Sequence, residues 1–475
     1  MSDLNTRSAT ELRTLIATRQ VSPVDVLHDC QAAIEAQNGT INAVVTTSFE
    51  TAKHAAIRAE AQVLAGDDLG PLHGLPVLIK DLADTAGIRT TYGSKHFADH
   101  VPETDALVVA KLKAAGAIVI GKTNTPEFGA GANTSNMVFG ATGNPFDPSL
   151  TSGGSSGGSA AALACDMAPL ASGSDLGGSL RIPASFCSVV GMRPSPGMVP
   201  SNTHVSGFSP LWTDGPMART VQDLALMLSA ISGFDARDPL STPASTFDFE
   251  AFQKPMDLAQ LRVGFSTDLG AALVDHDIRA LFETRKTAIA SHFAQAGDLD
   301  LDLSAATEVF KILRAESLYA AYGDLVNSHG DEIGANVTAN IRAAENYTLT
   351  QTAQADAVHT QIYRRFQALF DDIDVLVCPA TAVSPFPVGE NHPRTINGQA
   401  LDGYYAWYAI TWALSLVGCP IVTIPCGLDH NGMPFGIQLV GRRHSDLALT
   451  RVAFALEPAL QRQGLGRAHP PLALP

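Results

Sequence analysis

The sequence predicts an α/β protein folded as one large domain. Three observations carry this. Residues 104–115 place Leu107, Val108, Lys111 and Leu112 at helical spacing, and past Gly116 an apolar, mostly β-branched run at 117–120 has the length of a buried strand. Helix followed directly by strand is the repeating unit of an α/β sandwich. Further short apolar runs at 375–377, 421–424 and 437–440 read as strands. No shift of composition divides the 475 residues, and a hydrophobic content of 45% is ample for one large core.

In chain order, Ser8-Ala9-Thr10-Glu11 has the Ser-x-x-Glu form of a capping box ahead of Leu12, Leu15 and Ile16. Ser22-Pro23 supplies an N-cap and first-turn pair for a second helix through Val26, Leu27 and Ile34. A third helix is predicted over 49–64. The chain thus starts with a helical region, a candidate lid or dimer contact. The core begins at Leu75, where an apolar run ends in Lys80-Asp81. Gly116 ends the helix at 104–115. Residues 235–245, rich in Pro, Ser and Asp, read as a surface connection, and 241–350 carry the weakest pattern. Ser445 is the expected cap of a last long helix through Leu456.

The formal net charge of −16 argues against a nucleic-acid or anionic-membrane partner. No apolar run is long enough to span a bilayer, and no signal peptide is visible at the N-terminus. The six cysteines are scattered, mostly in apolar stretches, which predicts reduced, buried thiols in a cytoplasmic protein. No Cys-x-x-Cys or His-Glu-x-x-His spacing calls for a metal.

Residues 152–159 are all Gly or Ser. A flexible linker has this composition, but Ala160-Ala161-Ala162-Leu163-Ala164-Cys165 follows at once, and a linker rarely enters a core directly. The run therefore reads as a sharply bent loop, with N–H groups at the following helix start that favour negative charge. A second Gly-rich turn is Ser174-Asp175-Leu176-Gly177-Gly178-Ser179-Leu180-Arg181. Two glycines before a serine let successive N–H groups point one way, as an oxyanion hole requires. Lys80, at the end of an apolar strand, is costly to bury unless neutral or paired. Two other patterns fail on mechanism. Gly116 to Thr123 fits a phosphate loop, but its middle is apolar and mostly β-branched and belongs in a strand. Gly153-Gly154-Ser155-Ser156-Gly157 fits a nucleophile elbow, but a turn-like segment and not an apolar strand precedes it. His73 is the nearest candidate base for such a triad, and a satisfied histidine is its plainer reading.

Lys80, the run Gly153-Gly154-Ser155-Ser156-Gly157-Gly158-Ser159-Ala160, and Asp175 to Arg181, with Pro183 and Gly191 beyond, resemble the amidase signature family in order and spacing. Gly215-Pro216-Met217-Ala218-Arg219 with Asp223, Pro420 to Pro425, and Gly436 to Gly441 are similar to further family blocks. The resemblance implies a mixed, mostly parallel sheet with helices on both faces. It divides the single domain into a helical region at 1–70, a catalytic core at 71–235 and a variable substrate region with C-terminal strands and helices at 236–475. It implies an amidohydrolase that acylates Ser179, with Ser155 carrying protons between Ser179 and a neutral Lys80, and with a cis peptide bond at Ser155. Only the family's spacing selects Ser155, and Ser156 is the rival. For Lys80 the alternative is a permanent ion pair with Asp81. The N–H groups of Leu176, Gly177, Gly178 and Ser179 form the expected oxyanion hole, with Asp175 and Arg181 supporting it. No cofactor is required.

For the substrate, the resemblance places Phe128, Gly129, Ala130 and Gly131 at the scissile end. The aromatic cluster Tyr404, Tyr405, Trp407, Tyr408 and Trp412 suggests either an apolar or aromatic pocket or core packing. The expected partner is a small-molecule amide, with a homodimer possible. The runner-up is the glutamine-hydrolysing subunit of a tRNA-dependent amidotransferase. Thr411-Trp412 and Gly418-Cys419-Pro420 look more like free-standing amidases, and residues 404–424 offer no charge to hold glutamine's charged end. Ester or carbamate cleavage and a non-catalytic homologue are further alternatives. Leu176, Leu180 and Met192-Arg193-Pro194-Ser195 depart mildly from the commoner family pattern.

Overall fold

Eleven strands of the computed structural model, which describes residues 3–471, form one sheet. They are β1 (Val44–Thr47), β2 (Pro76–Lys80), β3 (Ile118–Thr123), β4 (Leu170–Asp175), β5 (Val190–Arg193), β6 (Thr213–Ala218), β7 (Arg262–Phe265), β8 (Gln295–Asp298), β9 (Val375–Pro379), β10 (Ile421–Leu428) and β11 (Pro434–Val440). Their order across the sheet is β1-β3-β2-β4-β6-β5-β10-β11-β9-β7-β8.

The sheet is mixed, as expected, but its balance differs from the expectation. Four neighbouring pairs are parallel, β2 with β3 and β4, and β7 with β8 and β9. The other six are antiparallel. Only β10 and β11 are joined by a short turn, which can return the chain only antiparallel; the other five antiparallel pairs join strands far apart in the chain, so their direction is set by how each long connection re-enters the sheet. Strands β2, β3, β4, β5, β9 and β11 are buried at every residue. Successive strand residues face opposite sides, so helices cover both faces. One continuous apolar core runs from Leu4 to Leu460.

The N-terminal helices form as predicted, with one difference in capping. The Ser22 hydroxyl accepts from Val24 N–H at 3.0 Å, and Asp25 accepts from Ser22 N–H at 3.4 Å, a complete box at the start of Pro23–Ile41. The Ser8 hydroxyl accepts from Glu11 N–H at 3.1 Å, but Glu11 turns to Arg7 and leaves the reciprocal half unmade. The third helix is Phe49–Ala65. Leu107–Ala114 is helical, and the strand after it runs on through Gly121, Lys122 and Thr123. The apparent phosphate loop is therefore strand β3. Lys122 donates to Ala83 O, and to the Thr85 and Thr90 hydroxyls at 2.9 and 3.0 Å, so its donors are taken. Ser445 stands at the N-cap position of the last helix, Asp446–Arg462, as expected, but its side chain makes no capping bond. Its hydroxyl donates to Arg442 O at 2.6 Å. Residues 241–350, unreadable in sequence, supply β7, β8 and the helix Ala306–His329. Among the described residues no helix is long and apolar enough to cross a membrane.

Candidate active site

Strands β2 and β4 are parallel neighbours, so their C-terminal ends bring Lys80 and Ser174-Asp175 to one edge of the sheet. The Gly-Ser loop meets them there. Its peptide bond between Gly154 and Ser155 is cis, and the helix Gly157–Ala164 follows. A Cβ on Gly158 would lie 2.4 Å from Asn124 N, so only glycine lets the loop close against that backbone. The N–H groups at this helix start are engaged, Gly157 with Thr134 Oγ1 at 3.1 Å and Gly158 with Asn124 O at 3.3 Å. They offer no open anion site, contrary to expectation.

Lys80 Nζ sits among three hydroxyls, 2.7 Å from Ser155 Oγ, 2.8 Å from Ser156 Oγ and 3.0 Å from Ser174 Oγ. Asp81 is turned away. It accepts from Thr91 N–H and from the Thr91 hydroxyl at 2.6 Å, so the alternative ion pair with Lys80 is not formed. Burial lowers the Lys80 pKa to about 7, and the Asp175 and Asp214 carboxylates oppose that shift.

The two candidate serines differ in surroundings. Ser156 Oγ faces inward, donating to Ser174 O and accepting from Ser174 N–H, both at 3.3 Å. Ser155 lines a cleft together with Leu176, Gly177, Gly178 and Ser179. Ser179 is half-buried there, and its carbonyl accepts from Ser156 N–H at 3.1 Å, which ties the two Gly-rich turns together. Phe128, Gly129, Ala130 and Gly131 line the same cleft.

A buried ion network holds the second turn. Asp175 accepts from Arg181 Nε and Nη2 at 3.0 and 2.9 Å, and Arg193 Nη1 lies 3.2 Å away. Burial opposes ionisation of Asp175, but Arg181 and Arg193 outweigh it and hold its carboxyl well below the usual range. Arg181 also donates to Thr411 O, Gln438 Oε1 and Ser415 Oγ, anchoring the turn to distant strands and helices. Asp175 corrects the expected oxyanion hole as well. Gly178 N–H donates to Asp175 Oδ1 at 2.9 Å, so it is not open. Among the described residues the N–H groups of Leu176, Gly177 and Ser179 carry no such bond. Gly178 has φ +134°, and a Cβ there would meet Thr411 Oγ1 at 2.4 Å. Asp175→Ala is expected to cost about 3–5 kcal/mol, because it strands two buried guanidiniums. Chemical denaturation measures this, and a loss below about 1 kcal/mol would contradict the role given to the network.

The aromatic cluster divides between its two alternatives, with Tyr404, Trp407 and Trp412 in core packing and Tyr408 in the cleft lining. Trp407 is buried against Phe186 and Phe386. Trp412 stacks behind Phe310, 4.8 Å between centroids, and Tyr404 packs under Arg314. None of the three lines the cleft: Trp412 and Tyr404 stand behind the lining residues Phe310 and Arg314, and Trp407 belongs to the core. The lining is instead Trp212, Phe310, Arg314, Leu318 and Tyr408. A second chamber on the Lys80 side shares Phe128, Ser174, Trp212 and Leu318 with the cleft and adds Asp214 and His204. Burial pushes the Asp214 carboxyl up, and Lys80 opposes the shift. His73, the rival base, rests 3.0 Å from Ala59 O, away from both chambers.

A family model described as Amidase matches residues 25–450. The chain is 33% identical to an acylamidase of Rhodococcus erythropolis over 458 residues, covering 96% of each chain. It is 35% identical to a glutamyl-tRNA(Gln) amidotransferase subunit of Acidothermus cellulolyticus over 499 aligned positions, covering 98% of this chain and 97% of that one. The crystal structure of a bacterial aryl acylamidase of the amidase signature family superposes with a TM-score of 0.90 at 28% identity, covering 96% of this chain and 97% of that one. The matches span the sheet and both Gly-rich turns, and the chain belongs to the amidase signature family, whose chemistry makes it an amide-hydrolysing enzyme.

Proposed function

We propose that the protein cleaves a carboxylic amide through an acyl-enzyme on Ser179. The Ser179 hydroxyl attacks the carbonyl as its proton passes to Ser155 and on to neutral Lys80. The oxyanion is met by the N–H groups of Leu176, Gly177 and Ser179. Ser155 returns the proton to the departing amine, and water then releases the acid. The observation that carries this reading is the contact of a buried, partly neutral Lys80 with Ser155, which opens on the cleft beside Ser179. The walls of Phe310, Trp212, Tyr408 and Leu318 support an apolar or aryl portion in the substrate. Cytoplasmic placement and a homodimer belong to the same proposal, and the six buried cysteines suit a reducing compartment.

The amidotransferase relatives favour a second reading, glutamine hydrolysis for a partner. The purified chain is tested on benzamide, aliphatic amides, anilides, carbamates and glutamine, with ammonia or amine release as readout. Turnover of simple amides that disappears in Ser179→Ala supports the first reading. Silence from a folded chain on every substrate favours the second.

Asp214 gives a pH test. Burial raises its own pKa to about 7, so it ionises in the range where Lys80 gives up its proton. The ionised carboxylate favours charged Lys80, and Asp214→Asn removes that influence and lowers the Lys80 pKa further. The acid limb of the kcat/KM profile then moves to lower pH. A limb that stays in place, or moves up, contradicts the coupling.

A further inference from the structure

Phe310, Arg314 and Leu318 stand four residues apart on the helix Ala306–His329 and form one stripe along the cleft. Arg314 is only 5% exposed. It donates to Asn340 Oδ1 and lies over the rings of Tyr404 and Tyr405, 5.0 and 5.9 Å from their centroids. All of these partners are neutral. The groups acting on its charge are tyrosines, and among the described residues no carboxylate pairs with it. The other buried arginines of the site, Arg181 and Arg193, do share an aspartate. A buried guanidinium without a counter-charge is costly, and its fork matches a carboxylate. Among the described residues Arg314 is also the only charged one lining the cleft.

Arg314 lines the chamber that holds Ser179 and is absent from the lining of the Lys80 chamber. Under the mechanism above, the amine leaves toward Ser155 and Lys80, so the acyl part lies on the Ser179 side. We propose that Arg314 binds a carboxylate at the far end of the substrate's acyl chain, and that the substrate class is an ω-amide of a dicarboxylic acid without an α-amino group. An ammonium group would find no acid in this lining, which sets the class apart from glutamine. The inference rests on the proposed hydrolysis for its choice of side, but not for the anion site itself.

Three acyl-matched amides test it: glutaramate with a carboxylate alone, glutamine with carboxylate and ammonium, and valeramide with neither. Glutaramate is expected to exceed both in kcat/KM by about tenfold or more, mostly through KM. The preference over valeramide should collapse in Arg314→Gln and persist in part in Arg314→Lys. Equal use of glutaramate and valeramide, a preference for glutamine, or a preference unchanged in Arg314→Gln overturns the proposal. Calorimetry of glutarate binding to Ser179→Ala reads the anion site without turnover. Binding there supports the site even if the nucleophile is misassigned, and no binding at millimolar glutarate overturns it. Should Arg314→Gln fail to fold, the glutarate titration and Arg314→Lys still decide.

Discussion

Replacing Ser179 by alanine is expected to abolish turnover, lowering kcat by about four orders of magnitude or more, while the protein stays folded. The two halves of this expectation have separate causes. Ser179 is half-buried in the cleft, and its main chain, not its side chain, ties the two Gly-rich turns through Ser156. Alanine keeps the N–H and the carbonyl, so stability should change by about 0.5 kcal/mol or less. The hydroxyl is the atom that would form the acyl bond, and no neighbour replaces it. Ser155 remains in place but is engaged by Lys80, and Ser156 faces inward. The check is kcat together with melting temperature. Intact mass spectrometry after a brief exposure to substrate adds a second reading, because the acyl group should appear on the native protein and not on the variant. Full activity in Ser179→Ala would sink the nucleophile assignment.

The core of this site was legible because its chemistry is local in sequence. A Gly-Ser loop entering an Ala-rich helix and a Gly-Gly-Ser turn before an arginine mark backbone that must close tightly, and such marks survive in a linear reading. What the sequence could not show were effects that depend on which way a side chain turns. The Gly178 N–H looked as free as its neighbours, yet the Asp175 carboxylate, three residues away, curls back to accept it. Aromatic density at 404–412 indicated burial but not layer. Trp412 and Tyr404 stand one layer behind Phe310 and Arg314, which come from a helix nearly a hundred residues earlier.

Arg314 was hidden for a related reason. Its helix, Ala306–His329, packs against several elements, among them Ala335–Ala344 and Leu349–Ala368. A helix contacted on many sides loses the one-sided apolar stripe by which helices are recognised. The charge that faces the cleft therefore comes from a segment with no readable pattern, far from 404–424. The direction of the strands was likewise hidden. The runs at 421–424 and 437–440 announced strands, but whether neighbours run parallel is decided by how each connection re-enters the sheet, and five of the six antiparallel pairs join strands far apart in the chain.

Lys80→Ala is the second large effect, and its value lies in the shape of the pH profile as much as in the lost rate. Loss of a general base typically costs about a hundredfold to ten-thousandfold. With its pKa lowered to about 7 by burial, Lys80 is mostly protonated below that pH and mostly neutral above it. In the native enzyme kcat/KM should rise with pH through this region, because only neutral Lys80 can accept the proton that Ser155 relays. In Lys80→Ala that rise should vanish. Lys80→Arg should be inactive at every pH tested, since a guanidinium keeps its proton. Among the described residues Lys122 is the one other core lysine with a comparable depression, to about 8, also caused by burial. It donates to Ala83, Thr85 and Thr90 and does not touch the serines. A rise in activity that persists in Lys80→Ala would therefore point to a group such as Lys122 and remove Lys80 from the proton path. A rise lost in Lys80→Ala and displaced in Asp214→Asn would tie the titration to the lysine that lines the second chamber and contacts Ser155.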